Sequence, residues 1–278
     1  MNKYKLCLCD MDGTLLDSKG FISKDNEIAL KKLQETGVEV VIASGRVDLM
    51  VKTFIKQLNL KGHIIACNGG LIKNITTGEI LYSKVIDKVK VREIVNYCLE
   101  NNVKFLLYTT DMVYSNKGNP LTERYENLNE SVTEDLKVPI TYINDILIKN
   151  IDNIDVLKIL LVCSSHDYAK ILEDYFSKLY ELSIVSSARG LLDIMAPNIS
   201  KGNALKILSE KLKIGLNEII AFGDNYNDID MLESAGLPIA MGNAVDEAKA
   251  IAKYITKSND ESGIAYAIEN FILSENKF

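Results

Sequence analysis

Residues 7–16 have the sequence Cys-Leu-Cys-Asp-Met-Asp-Gly-Thr-Leu-Leu, an apolar run that leads into two aspartates and a glycine. Apolar runs of this length, ended by a turn signal, are typical of buried strands in a parallel sheet. Open α/β sheets bind ligands at the carboxyl ends of such strands. Acidic side chains there are costly unless they hold a metal or take part in chemistry. The run therefore predicts a strand that delivers Asp10 and Asp12 to a functional site, and the alternative is an ordinary surface turn.

The composition is that of an ordinary globular protein. The 278 residues, 47% of them hydrophobic and 25% charged, suffice for one large or two modest domains. The formal net charge of −6 disfavours binding to nucleic acid, which requires a basic surface. No apolar run approaches the roughly 18–20 residues of a membrane helix, so we expect no membrane association. The five cysteines include no Cys-x-x-Cys pair, which argues against a disulfide framework or a zinc site and favours a reducing cytoplasm.

The N-terminal part alternates predicted strands and helices. Apolar patterns indicate a helix over 23–37, strands over 38–43 and 63–67, and a hairpin over 71–82. This order is the βαβ arrangement of a doubly wound, Rossmann-like parallel sheet. We therefore predict an α/β fold.

Small and polar residues follow the predicted strands of this part. Ser44, Gly45 and Arg46 follow the second strand, and Asn68 and Gly69 follow the third. Parallel strands of one sheet end at the same edge, so these residues are expected beside the paired aspartates. This is the edge at which a phosphate would bind.

An inserted domain is predicted in the middle of the chain. Residues 84–188 mix hairpin strands with helices and lack acidic strand ends, so we interpret them as an α+β domain. Within them, residues 114–135 are polar and contain several turn formers. The first pattern resumes at the apolar run 191–195, which makes the core domain 1–83 together with 189–278.

A second acidic strand end occurs far along the chain. The apolar run 219–222 leads into Gly-Asp-Asn-Tyr-Asn-Asp at 223–228, and Lys201 opens a predicted helix before it. A parallel sheet can bring Asp224 close to Asp10, and carboxylates from two strands suit octahedral Mg²⁺. The alternatives are an Asp/Asn turn, a solvated Lys201 and, for the serine after the second strand, a plain helix N-cap.

Four motifs in this order resemble those of the haloacid dehalogenase (HAD) superfamily of phosphoryl-transfer enzymes. They are Asp-x-Asp-Gly-Thr at 10–14, Ser44 in Ala-Ser-Gly-Arg, Lys201 in Ser-Lys-Gly, and Gly-Asp-x-x-Asn-Asp at 223–228. Asn-Gly-Gly at 68–70 is similar to a turn of the Cof-type branch, subclass IIB. The insert between the second and third motifs resembles the C2-type (C2B) cap of that branch. The resemblance spans almost the whole chain and implies an HAD-like α/β core with an α+β cap.

The resemblance implies a catalytic role for four residues. Asp10 resembles the nucleophile that takes the phosphoryl group as an aspartyl-phosphate. Asp12 resembles the general acid that protonates the leaving oxygen and then the base that activates water. Ser44 is expected to hydrogen-bond the phosphoryl oxygens, and Lys201 to pair with Asp10 and the phosphoryl group.

The resemblance also implies a Mg²⁺ site. The expected ligands are Asp10, the backbone carbonyl of Asp12, and Asp224, with Asp228 in support behind them. Beyond Ser44, further phosphate or substrate contacts are expected from strand-end residues and the lysine: Gly45, Arg46, Asn68, Gly69, Asn227 and Lys201.

A Mg²⁺-dependent phosphatase acting on small phosphorylated metabolites is the function that the resemblance implies. Sugar phosphates, nucleotides and cofactor phosphates are the expected substrate classes, and a monomer or homodimer is expected. Two alternatives stay open: a phosphotransferase or mutase on the same core, and a non-catalytic sensor of phosphorylated ligands. Asp12 favours hydrolysis, and the intact motifs argue against a sensor. Arg124, Tyr125 and Arg189 are conceivable contacts of the cap or of its hinge.

Overall fold

The computed structural model describes residues 3–188 and 190–273, so Arg189 lies outside the described residues. Two compact units are distinguished by their internal contacts. The first unit comprises the described residues up to Arg46, then Thr53–Tyr82, then the described residues from Ser200 onward. The second unit comprises Val47–Lys52 and Ser83–Ile199.

The strands are numbered in chain order. They are β1 (Leu6–Cys9), β2 (Glu39–Ala43), β3 (His63–Ala66), β4 (Leu71–Asn74), β5 (Ile80–Ser83), β6 (Lys104–Tyr108), β7 (Val113–Ser115), β8 (Ile140–Tyr142), β9 (Lys158–Val162), β10 (Ser183–Ala188), β11 (Leu191–Met195), β12 (Ile219–Gly223), β13 (Leu237–Ala240) and β14 (Tyr254–Ile255).

The α-helices are numbered in the same way. They are α1 (Lys24–Glu35), α2 (Lys52–Leu58), α3 (Lys88–Glu100), α4 (Pro120–Glu130), α5 (Asp145–Lys149), α6 (His166–Leu179), α7 (Lys201–Leu212), α8 (Ile229–Ser234), α9 (Asp246–Ile251) and α10 (Gly263–Ala267). A π-helical turn, Ile268–Ile272, follows α10. In the part of the chain that the structure describes, no helix has both the length and the apolar character of a membrane span.

The first unit is built on a sheet with the strand order β14-β13-β12-β1-β2-β3-β4-β5. The strands from β14 to β3 are parallel, and β4 runs antiparallel to β3. The parallel-sheet core and the α/β class predicted from the sequence are confirmed. In the centre, Cys9 of β1 is aligned with Ile42 of β2 on one side and with Phe222 of β12 on the other.

The strands and helices of the first unit follow from local sequence signals. All residues of β1 are buried, as expected for an apolar strand with neighbours on both sides. Ser23 and Ser200 cap α1 and α7, because their side chains accept hydrogen bonds from the N–H groups of Asn26 and Asn203. The cap at Ser200 makes Lys201 the first residue of α7.

The second unit contains a sheet with the strand order β10-β11-β9-β6-β7-β8. Pairing is antiparallel except between β7 and β8. One apolar core joins α3 and α6 to this sheet, and it includes Ile94, Phe105, Ile159, Leu172 and Phe176. Side chains of this size each contribute about 1.5–3 kcal/mol when buried.

One sequence-based interpretation of the middle region is wrong, and one helix there was not predicted. The run Leu191–Met195 was expected to belong to the core, but as β11 it pairs with β9 and β10, and the second unit continues to Ile199. An apolar strand has the same sequence pattern in either sheet, which explains the error. The polar stretch contains a helix, α4, because Asn119 is its N-cap and Pro120 occupies its first turn.

Candidate active site

Three central strands deliver their acidic and polar ends to one place. Asp10 directly follows β1, Ser44 follows β2, and Asp224 follows β12, and β1 lies between the other two strands. All three side chains are buried. The backbone N–H of Asp10 donates to the carbonyl of Phe222 (3.1 Å), which extends the pairing of β1 and β12 beyond the strand. The sheet therefore gathers residues that are far apart in sequence.

Lys201 links two of the acidic residues. Its side chain is fully buried, and Nζ donates to Oδ1 of Asp10 (2.5 Å) and to Oδ1 of Asp228 (2.6 Å). Burial alone would lower the pKa of Lys201, but the two carboxylates more than offset this and raise the pKa above its ordinary value. Lys201 is therefore a fixed positive charge.

Asp228 is held in place on both of its oxygen atoms. Oδ2 accepts hydrogen bonds from the backbone N–H groups of Asp224 and Asn225, each at 3.0 Å. A Cβ atom on Gly223 would lie 2.6 Å from Cβ of Asp228, so only glycine leaves room there. Because Oδ1 also accepts a hydrogen bond from Lys201, the Asp228 carboxylate fixes both the lysine and the turn after β12.

The turn that follows Asp10 and Asp12 positions the side chain of Asp224. Thr14 donates its hydroxyl to Oδ1 of Asp224 (2.6 Å). Gly13 has φ +88°, and a Cβ atom there would lie 2.3 Å from Oδ2 of Asp224. Glycine is thus required by both the backbone conformation and the close approach of the carboxylate.

The buried carboxylates fit a divalent metal ion. Among the described residues, oxygen atoms of Asp10, Asp224 and Asp228 lie within 4.8 Å of one another. Burial and then the Asp228 carboxylate raise the pKa of Asp10, and burial raises the pKa of Asp224 to about 6. Three acidic groups against one ammonium leave an excess of negative charge that a cation would offset. A site made of oxygen donors alone suits Mg²⁺. Because both oxygens of Asp228 already accept hydrogen bonds, Asp10 and Asp224 are the side chains that would bind the ion.

The end of β2 and the turn after β3 are fitted together. The N–H of Asn68 donates to the carbonyl of Ser44 (2.9 Å), and the N–H of Arg46 donates to Oγ of Ser44 (3.1 Å). A Cβ atom on Gly45 would lie 3.0 Å from Oδ1 of Asn68. The same Oδ1 accepts a hydrogen bond from Nδ2 of Asn227 (3.2 Å). These predicted contact residues therefore form one connected group.

Gly69 brings this group against the helix that begins with Lys201. It has φ +104°, and a Cβ atom there would lie 2.3 Å from the carbonyl oxygen of Ser200. Any larger residue would displace the N-terminus of α7. Gly69 therefore acts on the site through the placement of Lys201.

Asp12, unlike the three buried acids, is exposed. Its side chain is 62% exposed, and its two oxygens accept hydrogen bonds from Nη2 (2.6 Å) and Nε (2.9 Å) of Arg46. The structure therefore places Arg46 on Asp12, and the contact of Arg46 with substrate stays a prediction.

Comparison with known proteins identifies the family. The family model described as haloacid dehalogenase-like hydrolase matches residues 7–268. The chain belongs to this HAD family. It is 32% identical to a phosphatase of Bacillus subtilis, YwpJ, with 96% of this chain and 100% of the relative covered. It is also 32% identical to the 5-amino-6-(5-phospho-D-ribitylamino)uracil phosphatase YwtE of Bacillus subtilis, with coverages of 96% and 98%.

Solved structures agree with this HAD assignment. A haloacid dehalogenase-like hydrolase from Bacteroides thetaiotaomicron has a TM-score of 0.84 and 32% identity to the chain, covering 96% of this chain and 98% of that structure. The identification as a Cof-type HAD hydrolase is confirmed. The relatives named as phosphatases support a phosphoric monoester hydrolase activity for the chain.

Sequence reasoning missed two residues of this HAD site. Thr14 orients Asp224, and it was visible in the sequence as part of Asp-x-Asp-Gly-Thr. Asn243 donates from Nδ2 to the carbonyl of Gly13 (2.8 Å) and so holds the loop that carries Asp12. Its only sequence signal is a Gly-Asn turn after β13, which many proteins have for other reasons.

Proposed function

We propose that this HAD hydrolase is a Mg²⁺-dependent phosphatase that forms an aspartyl-phosphate on Asp10. The observation that carries the proposal is the bond between Asp10 and the buried Lys201, beside Asp224. A free carboxylate and a phosphate monoester repel each other as anions. The Asp10 carboxylate can approach the phosphate because Lys201 offsets part of the combined negative charge.

Each residue of the site has a defined part in this proposal. The Asp10 carboxylate attacks phosphorus, and Asp12 gives a proton to the leaving oxygen. Water then attacks the aspartyl-phosphate, and Asp12 takes the proton of that water. The Ser44 hydroxyl accepts a hydrogen bond from the N–H of Arg46, which leaves its own hydrogen for a phosphoryl oxygen.

The metal would be held by Asp10, the backbone carbonyl of Asp12, and Asp224. When bound there, Mg²⁺ supplies positive charge at the transferring phosphoryl group. Asp228 supports the site by fixing Lys201 and the turn after β12. Thr14 keeps Asp224 oriented toward the same place.

Small phosphorylated metabolites are the proposed substrates. A relative with 32% identity is named as a 5-amino-6-(5-phospho-D-ribitylamino)uracil phosphatase, so that compound belongs in the test together with sugar phosphates, nucleotides and cofactor phosphates. We also propose that the second unit is the C2-type cap of this branch. The described cysteines are all free thiols, which supports the proposed reducing cytoplasm.

The test is phosphate release from this panel, with Mg²⁺ or with EDTA, by wild type and Asp10→Asn. Asp25→Asn, an exposed residue in the first turn of α1, is the matched control. We expect release that requires Mg²⁺ and that Asp10→Asn abolishes while Asp25→Asn retains it. Unchanged release by Asp10→Asn would refute the proposal. Alcohol acceptors added to the same assay would detect a phosphotransferase as phosphorylated alcohol.

A further inference from the structure

Asp12 is exposed but is held at two points. Its side chain is 62% exposed, whereas that of Arg46 is 26% exposed. Nη2 and Nε of Arg46 contact different oxygens of the carboxylate, at 2.6 and 2.9 Å. A single hydrogen bond would leave the carboxylate free to rotate, but a two-point contact with the planar guanidinium fixes its plane.

Arg46 is itself well anchored. Its N–H donates to Oγ of Ser44 (3.1 Å), and its carbonyl accepts from the N–H of Cys67 (2.9 Å). The guanidinium carbon lies 5.8 Å from the ring centre of Phe54. The backbone of Arg46 is thus hydrogen-bonded at the ends of two strands, β2 and β3. Its side chain therefore reaches Asp12 from a fixed backbone position.

Stability does not explain such a contact, because exposed ion pairs add little to the free energy of unfolding. Its consequence is orientation. We propose that Arg46 is a positioning residue that holds Asp12 as the base for hydrolysis of the aspartyl-phosphate. This inference rests on the proposed function and assigns to Arg46 a partner, Asp12, in place of the substrate phosphate.

The step that Arg46 serves is the second half of the reaction. The oxygen of water forms a bond to phosphorus while the bond from phosphorus to the Asp10 oxygen breaks. A proton of that water passes to the Asp12 carboxylate. Inorganic phosphate leaves, and the Asp10 carboxylate is restored. An unfixed Asp12 slows this step, whereas attack by Asp10 on a substrate with a good leaving group needs no proton from Asp12.

The test compares turnover of 4-nitrophenyl phosphate with the steady-state fraction of phosphorylated enzyme, measured by acid quenching and intact-protein mass. The variants are Arg46→Ala and Arg46→Lys. Arg92→Ala is the matched control, because Arg92 forms an exposed pair with Asp152 (2.6 Å) in the second unit. We expect Arg46→Ala to lower kcat by up to roughly 100-fold, the effect of a misplaced catalytic group, and to raise the phosphorylated fraction. Arg92→Ala should change neither.

Two further results support positioning by the guanidinium itself. Arg46→Lys keeps the charge but lacks the planar two-point contact, so it should remain slow. Added methylguanidinium chloride should restore part of the turnover of Arg46→Ala, and the same concentration of potassium chloride should not.

Three results would overturn the inference. A fall in both turnover and phosphorylated fraction would indicate general damage to the site. A higher KM and weaker inhibition by inorganic phosphate at normal kcat would place Arg46 on the substrate. Normal turnover by either variant would show that positioning is unnecessary. If Asp10→Asn is inactive in these cases, only this inference fails; if Asp10→Asn keeps its activity, the proposed function fails with it.

Discussion

Replacing Lys201 by methionine removes the one buried ammonium of the acidic cluster while keeping a side chain of similar length. Nζ lies 2.5 Å from Oδ1 of Asp10 and 2.6 Å from Oδ1 of Asp228, and the lysine is fully buried. The substitution leaves two buried carboxylates without their counter-ion. Breaking a buried ion pair on one side costs about 3–5 kcal/mol. We expect the free energy of unfolding of Lys201→Met to fall by that amount at neutral pH in EDTA.

The assay is urea denaturation followed by circular dichroism, with Lys211→Met as control. Lys211 lies in the last turn of the same helix and is exposed, so its replacement should change the unfolding free energy by less than about 0.5 kcal/mol. The loss in Lys201→Met should shrink as the pH falls, because protonation removes the uncompensated negative charges. Added Mg²⁺ should also reduce the loss of stability in Lys201→Met.

A double-mutant cycle tests whether the loss of stability comes from the uncompensated carboxylates. Asp228→Asn should lower the free energy of unfolding less in the Lys201→Met background than in wild type. In that background the Asp228 carboxylate has already lost the ammonium that it pairs with. Strictly additive losses, or a Lys201→Met variant as stable as Lys211→Met, would contradict the reasoning.

Three other predictions concern the metal site and the thiols. Burial raises the pKa of Asp224 to about 6. In EDTA, its contribution to the free energy of unfolding is therefore largest below its ordinary pKa and is lost as the pH rises through 6. The loss amounts to roughly 3 kcal/mol, and urea unfolding at several pH values should show it in wild type and not in Asp224→Asn. Gly13→Ala should abolish stabilisation by Mg²⁺ in thermal unfolding, because its Cβ would lie 2.3 Å from the Asp224 carboxylate, whereas Gly20→Ala, with a similar φ of +84° and open space, should keep it. Burial raises the pKa of Cys98 to about 12, so its thiol should not react with Ellman's reagent at pH 8 until urea is added.

Each of these predictions has a contrary outcome. Equal pH slopes for wild type and Asp224→Asn would show that the carboxylate is not buried in an acidic cluster. Equal Mg²⁺ stabilisation of the two alanine variants would show that the close approach at Gly13 is absent. Rapid reaction of Cys98 in the native protein would show that the core of the second unit opens readily.

The sequence predicts the meeting of Asp10, Ser44 and Asp224 well. Each follows a strongly apolar run, and the ends of neighbouring parallel strands lie at one edge whatever the length of chain between them. This rule needs only the strand pattern and the order of the strands. The α/β core was therefore predictable from residues alone.

The pairing of individual side chains was not predictable in this way. Asp228 bonds Lys201, and Asp12 bonds Arg46, because of the particular turns that follow β12 and β1. Residue spacing gives no information on where a turn directs a side chain. The helix after Asn119 was missed for a related reason, since residues that make turns also begin helices.

The most direct test of the central claim is to trap the phosphorylated enzyme and find the modified residue. The protein is mixed with Mg²⁺ and 4-nitrophenyl phosphate, quenched in acid and treated with borohydride, which reduces an aspartyl-phosphate to homoserine. We predict homoserine at position 10 in the peptide mass spectrum, and none in a sample without substrate. Turnover of the substrate with an unmodified Asp10, or homoserine at another aspartate, would contradict the account.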